Sequence, residues 1–398
     1  MTTIDLVEYG PRLSVRLDDA TARALVASRI VEVAPDPRRS GHWSVRAQGK
    51  VGVVRLSAPG GASVTLRIAP KVPIARLLFL LGYHLSPKGW RDEEVGLREE
   101  TELLPAFARL FARQAERALR QGLLQGYHAK EETARFLRGR IREADQIRRQ
   151  HGRPMPLEIV HDEYGPDIAE NRLLLAACER LLRLPDVPRD ARPSLLRMRV
   201  RLSEIEPSAN EPLTWRPTRL NARYHQALYL AELVLRGTSV EHQAGDVTVN
   251  GFLFDMSSVF EDFVTTALCR ALSDRAGHCV LQASVHLDEA RAIRMIPDFV
   301  RYADDGTPLA VADAKYKAEK RAGFPDADIY QMLAYCTALG LPEGHLIYAK
   351  GNAPHTAHHV RRSGVIIRQH ALELDQPPAG LLAEINELAS LIASAVPA

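Results

Sequence analysis

The stretch MIPDFVRYADDGTPLAVADAKYK, residues 295–317, decides how this chain is read. Two strand-like apolar runs flank the turn-rich segment ADDGTP. Asp298 lies in the first run, and Asp313 and Lys315 close the second. Side chains alternate along a strand, so residues 313 and 315 point to one face, and a hairpin brings Asp298 beside them. The expectation is two carboxylates and one ammonium at one sheet edge. An Asp-x-Lys tripeptide by itself equally describes a surface ion pair. Here the apolar run LAVA leads directly into Asp313, so the acid emerges from a buried element, the setting of a site rather than of a solvated face.

Carboxylates are hard oxygen ligands that hold Mg²⁺ or Mn²⁺. A cation so held polarises a phosphoryl oxygen, and a neighbouring ammonium orients water and offsets developing negative charge. The group therefore suits metal-assisted phosphodiester hydrolysis. Upstream, MSSVFEDFVTTALCRAL reads as a helix with Met256, Phe260, Phe263, Val264, Ala267 and Leu268 on its apolar stripe. Glu261 borders that stripe and Asp262 points toward solvent, so Glu261 is the third acid of the candidate metal set Glu261, Asp298 and Asp313. Downstream, DIYQMLAYCTALG reads as a helix whose core stripe is Ile329, Met332, Leu333, Cys336 and Leu339. Gln331 and Tyr335 share another face and can reach the hairpin or a bound strand. Lys317 is a further candidate for DNA contact.

The order Glu261, Asp298 in IPD, Asp313 and Lys315 in DAKYK, then Gln331 and Tyr335 resembles the PD-(D/E)xK nuclease superfamily. More narrowly, VFEDFV, DAKYK and DIYQMLAY resemble the McrC family, nuclease subunits of McrBC modification-dependent restriction systems. GLLQGYHAKEETARFLRGRI, DEYGPDIAENRLL and APKVPIARLLFLLGY are similar to segments that precede the nuclease part in that family. The resemblance implies a Mg²⁺-dependent endodeoxyribonuclease. It implies, as partners, DNA and a hexameric McrB-like AAA+ GTPase that the chain stimulates. The chain has no G-x-x-x-x-G-K-[ST], so it is expected to bind no nucleotide itself. Two alternatives stand beside this reading: a stand-alone repair nuclease of the same fold, and a non-catalytic adaptor of an AAA+ NTPase.

With 398 residues the length suggests two or three domains. Apolar residues at 46% and charged residues at 25% exclude a disordered or collagen-like chain. No run approaches 20 apolar residues, and the first ten residues lack a signal-peptide pattern, so the expectation is a cytoplasmic protein with no membrane association. The net charge of +3 excludes a globally basic coat protein. The fold class expected is multidomain α+β. Residues 1–90 read as a β-rich partner-docking domain, a small barrel or curled sheet with helices at 18–28 and after Pro73. Residues 91–245 read as a helical region, with helices at 105–127, 131–148, 168–184, 192–204 and 219–236. Residues 246–398 read as an α/β domain of the PD-(D/E)xK restriction-endonuclease-like class.

Other features point less sharply. Cys178, Cys269, Cys279 and Cys336 form no CxxC pair, which argues against structural zinc. Residues 135–154 carry seven Arg against two acids, either a surface for phosphates or an acidic partner, or a solvated helix. His355, His358 and His359 read as a histidine-bearing loop. Arg38 and Arg39 occupy a loop that either probes a partner NTPase or solubilises a turn. Trp43 and Trp90 read as packing residues. Four of the eight lysines, Lys315, Lys317, Lys320 and Lys350, fall within 315–350, whereas the chain elsewhere uses Arg.

Overall fold

The computed structural model describes residues 2–57, 62–85, 102–185, 187–206, 213–237, 248–316, 326–349 and 356–394. Lys317, and with it Trp90, Lys320, Lys350 and His355, lies outside the described residues. Among the described residues the fold is mixed α/β, with several sheets and about ten helices. The chain groups into two compact units. One comprises residues 1–106 with 237–398, and the other residues 107–236. The consecutive division at 90 and 245 is thus regrouped, because the β-rich N-terminal part and the α/β C-terminal part share one unit.

The reason is a single strand. Thr248–Asp255 pairs antiparallel with Lys50–Ser57, so the sheet order is Thr2–Val7, Val64–Ala69, Lys50–Ser57, Thr248–Asp255. The first pair is parallel and the others antiparallel. Gly52 permits the junction. Its φ is +129°, and a Cβ there would lie 2.0 Å from the Phe252 carbonyl oxygen, so no side chain fits. A second sheet, Leu13–Arg16, His42–Ala47 and Val31–Pro35, packs on the same core through Val45, Ala47, Leu25 and Leu66. The N-terminal part is therefore two sheets rather than one closed barrel. Helix Asp19–Ser28 lies where expected, with Asp18 accepting from the Thr21 amide at 2.8 Å. Trp43 packs against this core, as expected of a packing residue.

In the same unit, a six-stranded sheet runs His278–Leu281, Phe299–Tyr302, Pro308–Lys315, Glu343–Ala349, Ile366–Leu372, Thr356–His359. Its centre is parallel and its outer pairs antiparallel. Strand Pro308–Lys315 alternates two kinds of side chain. Val311, Asp313 and Lys315 share one face, and Ala310, Ala312 and Ala314 the other. Helix Met256–Ala271 buries Met256, Phe260, Phe263, Val264, Ala267 and Leu268, the stripe read from the sequence. Phe263 meets Phe79 and Tyr83 of helix Ile74–Leu85 at ring-centroid distances of 5.7 and 5.4 Å. Helix Asp326–Leu339 ends at Gly340, whose φ is +67°. His358 and His359 sit on the edge strand Thr356–His359 rather than in a loop, and His358 faces Gln369 at 3.2 Å.

The second unit corrects one expected helix. Residues 131–148 are not one helix. Gly126–Ala134, Leu157–Gly165 and Arg140–Ile141 form an antiparallel sheet, and only Glu143–Gln150 is helical. The strand Gly126–Ala134 alternates exposed and half-buried residues, a period of two that its charged composition masked. Gly139, with φ of +73°, turns the chain against Val160 and His161. The seven arginines of 135–154 thus spread over a hairpin and a short helix, where Arg142 pairs with Glu131 and Asp145, and Arg149 with Glu158. Helices Ala169–Arg183, Ala191–Arg201 and His225–Arg236 lie where the sequence places them. No helix among the described residues is long and apolar enough to cross a membrane.

Candidate active site

The hairpin forms as the sequence predicts. Phe299–Tyr302 pairs antiparallel with Pro308–Lys315, Phe299 opposite Ala312. The turn closes with Gly306 at φ +84°, while the Asp305 carboxylate accepts from the Thr307 amide at 2.9 Å. Asp298, just before the first strand, is buried. Its Oδ2 accepts from the Ala314 amide at 2.9 Å, which locks it beside the strand that carries Asp313 and Lys315. Asp313 is 2% exposed, and its Oδ2 pairs with Lys315 Nζ.

Glu261 approaches from helix Met256–Ala271. It is half-buried, and Asp262 beside it is exposed. A residue without a sequence signature joins the group. The Gln282 side-chain amide donates to Glu261 Oε1 and to Asp298 Oδ1, the latter at 3.2 Å. Gln282 has φ of +50°, a left-handed conformation unusual for a residue with a side chain. It lies between the short strands His278–Leu281 and Val285–His286 and turns its amide between the two acids.

Helix Asp326–Leu339 closes the site from the face carrying Asp313. Tyr335 is buried in the core with Met332 and Cys336, rather than on a separate polar face. Its hydroxyl donates to the Ile296 carbonyl at 3.2 Å and accepts from Gln331 Nε2 at 2.9 Å. Gln331 itself is exposed. The same helix contributes a buried acid that sequence reading passed over. Asp328 accepts from the Tyr348 hydroxyl at 3.1 Å and adds negative charge near Lys315. Its signal was its place in the helix's first turn, one turn ahead of Met332 on the core stripe.

The electrostatics follow from burying like charges together. Burial raises the carboxyl pKa of Asp313 to about 6, with Asp298 adding to the shift. Burial likewise raises Asp298 to about 6, with Glu261 contributing. Glu261 is raised by burial and by the charges of Asp262 and Asp313. Burial pulls the Lys315 ammonium down, but Asp313 and Asp298 together outweigh it and hold the group above its ordinary value. Among the described residues no three His, Cys, Asp or Glu side chains are arranged as a ready metal cage. In this arrangement the Gln282 amide lies between Glu261 and Asp298, and Lys315 takes Asp313. The donor set is nevertheless all oxygen, and Lys315 balances only part of its charge. That fits a hard divalent cation.

No curated protein matches the chain. Among solved structures, a chain of the half-complex of Thermococcus gammatolerans McrB AAA+ hexamers with bound McrC is 19% identical, with a TM-score of 0.61. The alignment covers 98% of this chain and 100% of that one. A chain of the Thermococcus gammatolerans McrBC complex is 22% identical over 68% of this chain and 88% of its own, with a TM-score of 0.41. A family model described as McrBC 5-methylcytosine restriction system component matches residues 45–349. That match spans well over half of the 398 residues, so the chain belongs to the family of McrBC 5-methylcytosine restriction system components.

Proposed function

We propose that the chain is the DNA-cleaving subunit of a McrBC-type restriction system, a PD-(D/E)xK endonuclease serving phage defence. The observation that carries this reading is the convergence of Asp298, Asp313, Glu261 and Lys315 at the C-terminal end of an interior strand, within a chain of that family. Asp298, Asp313 and Glu261 would hold Mg²⁺, or Mn²⁺ in its place. When bound, the cation supplies positive charge to the scissile phosphate.

The chain's own residues do the rest. The Lys315 ammonium, kept charged by Asp313, orients the attacking water and offsets charge growing on the phosphorus oxygens. The Ala314 amide holds Asp298 in place, and the Gln282 amide bridges Glu261 and Asp298 and offsets their repulsion, a part that a bound cation would otherwise supply. Tyr335 and Gln331 brace the Ile296 backbone ahead of Asp298, and Lys317 adds positive charge for the DNA backbone. The partner is a McrB-like AAA+ GTPase hexamer, which supplies nucleotide hydrolysis and recognition of modified DNA. The β-rich residues 1–90 are the proposed docking part.

The test is cleavage of modified and unmodified plasmid DNA by the full chain, alone and with the AAA+ partner. It is run with GTP, ATP or no nucleotide, and with Mg²⁺ or EDTA. Cleavage that needs both Mg²⁺ and the hydrolysing partner supports the proposal. Cleavage that persists in excess EDTA refutes it, and Mg²⁺-dependent cleavage by the chain alone favours the stand-alone nuclease.

A further inference from the structure

Tyr316 follows Lys315 directly and is buried. Alternation along the strand turns it to the face opposite Lys315. Its ring packs on Phe260, the residue before Glu261, with centroids 5.9 Å apart. Its hydroxyl donates to Glu8 Oε2 at 3.1 Å. Glu8 has no exposed surface. It sits at the end of the first strand, Thr2–Val7, where its amide donates to the Ala69 carbonyl at 2.9 Å. Its Oε2 also accepts from the Lys71 amide at 3.2 Å. The other oxygen, Oε1, is buried without a hydrogen-bond partner among the described residues.

A buried carboxylate with one unsatisfied oxygen costs stability that an apolar side chain of similar size would not. Packing alone does not account for it. Its effect is local to the site. Ala314 is held by Asp298 through its amide, and Tyr316 is held by Glu8 through its hydroxyl, so Lys315 stands between two anchored neighbours. A lysine side chain has four flexible bonds, and its ammonium is placed reproducibly only when its backbone is fixed. A catalytic group displaced by about 1 Å can lose about 10²-fold in rate.

We propose that Glu8 and Tyr316 are positioning residues that fix Lys315 for catalysis, and that they tie the catalytic strand to the N-terminal sheet. The inference rests on the nuclease reading above. The experiment uses the full chain with its AAA+ partner, plasmid DNA and Mg²⁺. It compares Tyr316→Phe, Glu8→Leu, Lys315→Ala and the double variant Tyr316→Phe/Lys315→Ala. Tyr316→Phe keeps the ring on Phe260 and should lower kcat about tenfold, with the KM for DNA unchanged. In the Lys315→Ala background the same change should cost nothing further, because the pair acts through Lys315.

A wild-type kcat for Tyr316→Phe beside an impaired Lys315→Ala overturns the pair alone. An equal loss in both backgrounds, or a loss confined to KM, overturns it as well. A wild-type kcat for Lys315→Ala overturns the pair and the site reading together. Should Tyr316→Phe fail to fold by thermal melting, Glu8→Leu carries the test. That variant keeps most of the volume and removes the oxygen that accepts from Tyr316, so kcat should again fall about tenfold, and a wild-type kcat there overturns the proposal.

Discussion

Gln282 is bonded to Asp298 twice: its backbone amide donates to the Asp298 carbonyl at 3.1 Å, and its side-chain amide donates to Asp298 Oδ1 at 3.2 Å. The left-handed φ of Gln282 makes both contacts possible at once. Replacing it with Gly suits that conformation and removes the side chain together with its amide. Gln282→Gly should therefore change stability by less than about 1 kcal/mol in chemical denaturation, since the relieved strain offsets the lost bonds. Without the amide, Glu261 and Asp298 repel more strongly, so half-maximal cleavage should shift in Mg²⁺ concentration. An unchanged Mg²⁺ titration would show that Gln282 is merely structural.

Asp313→Ala and Lys315→Ala should each reduce DNA cleavage by about 10²–10³ or more. Both side chains act at the end of an interior strand, while Val311 and the alanine face that pack the strand remain. Circular dichroism, partner binding and stimulation of partner hydrolysis should stay near wild type. Cleavage by a folded Asp313→Ala protein would place the chemistry elsewhere.

The raised carboxyl pKa values give stability a direction with pH. Asp298 and Asp313 rise from an ordinary 3.8 to about 6, so between those values the folded chain binds more protons than the unfolded one. Their contribution is fully present below about pH 4 and is lost as pH rises through about 6. The metal-free protein should lose on the order of a few kcal/mol from this pair between pH 4 and pH 7. Asp298→Asn/Asp313→Asn should flatten that part of the profile. Mg²⁺ at pH 7 should raise the melting temperature of the wild type and leave the double variant unmoved. A wild-type melting temperature indifferent to Mg²⁺ at pH 7 would argue against a cation site.

A chain truncated at residue 245 tests the regrouped fold. It lacks Thr248–Asp255, so Lys50–Ser57 becomes an open edge, and it lacks Phe263, so helix Ile74–Leu85 loses its aromatic partner. The fragment should be insoluble or aggregated on size exclusion. A monodisperse, cooperatively melting 1–245 fragment would contradict the shared sheet. Docking is for this reason better probed by surface substitutions such as Arg38→Glu/Arg39→Glu, both exposed in the turn after Val31–Pro35.

Gly52→Ala probes the same junction at one atom. The added Cβ meets the Phe252 carbonyl at 2.0 Å in a backbone region reserved for glycine. It should cost about 2 kcal/mol or more in stability. Full stability on denaturant unfolding would mean that the strand pairing tolerates displacement.

Residues 246–398 were legible because their signals are local. LAVADAK is a continuous apolar run ending in charge, Gly340 ends a helix, and ADDGTP is a turn. Two features were not legible, for physical reasons. Thr248–Asp255 reads as a strand, but nothing local says which sheet it joins, and its partner lies far back in the sequence. Gly126–Ala134 carries so many charged residues that its period of two is hidden beneath helix-favouring composition. At the site, the acids and lysine follow from alternation and the hairpin. Gln282 does not, since a glutamine becomes informative only through a backbone angle that the sequence does not display.

The pairing of Lys50–Ser57 with Thr248–Asp255 also sets a clock on synthesis. About 190 residues separate the two strands, and at about 5–20 residues per second the ribosome needs about 10–40 s to bridge them. Throughout that interval the nascent N-terminal sheet waits with Val51, Val53 and Val54 on a strand paired on one side only. The first unit therefore finishes folding only after most of the chain has emerged, and in that window the cell must shield a growing apolar edge.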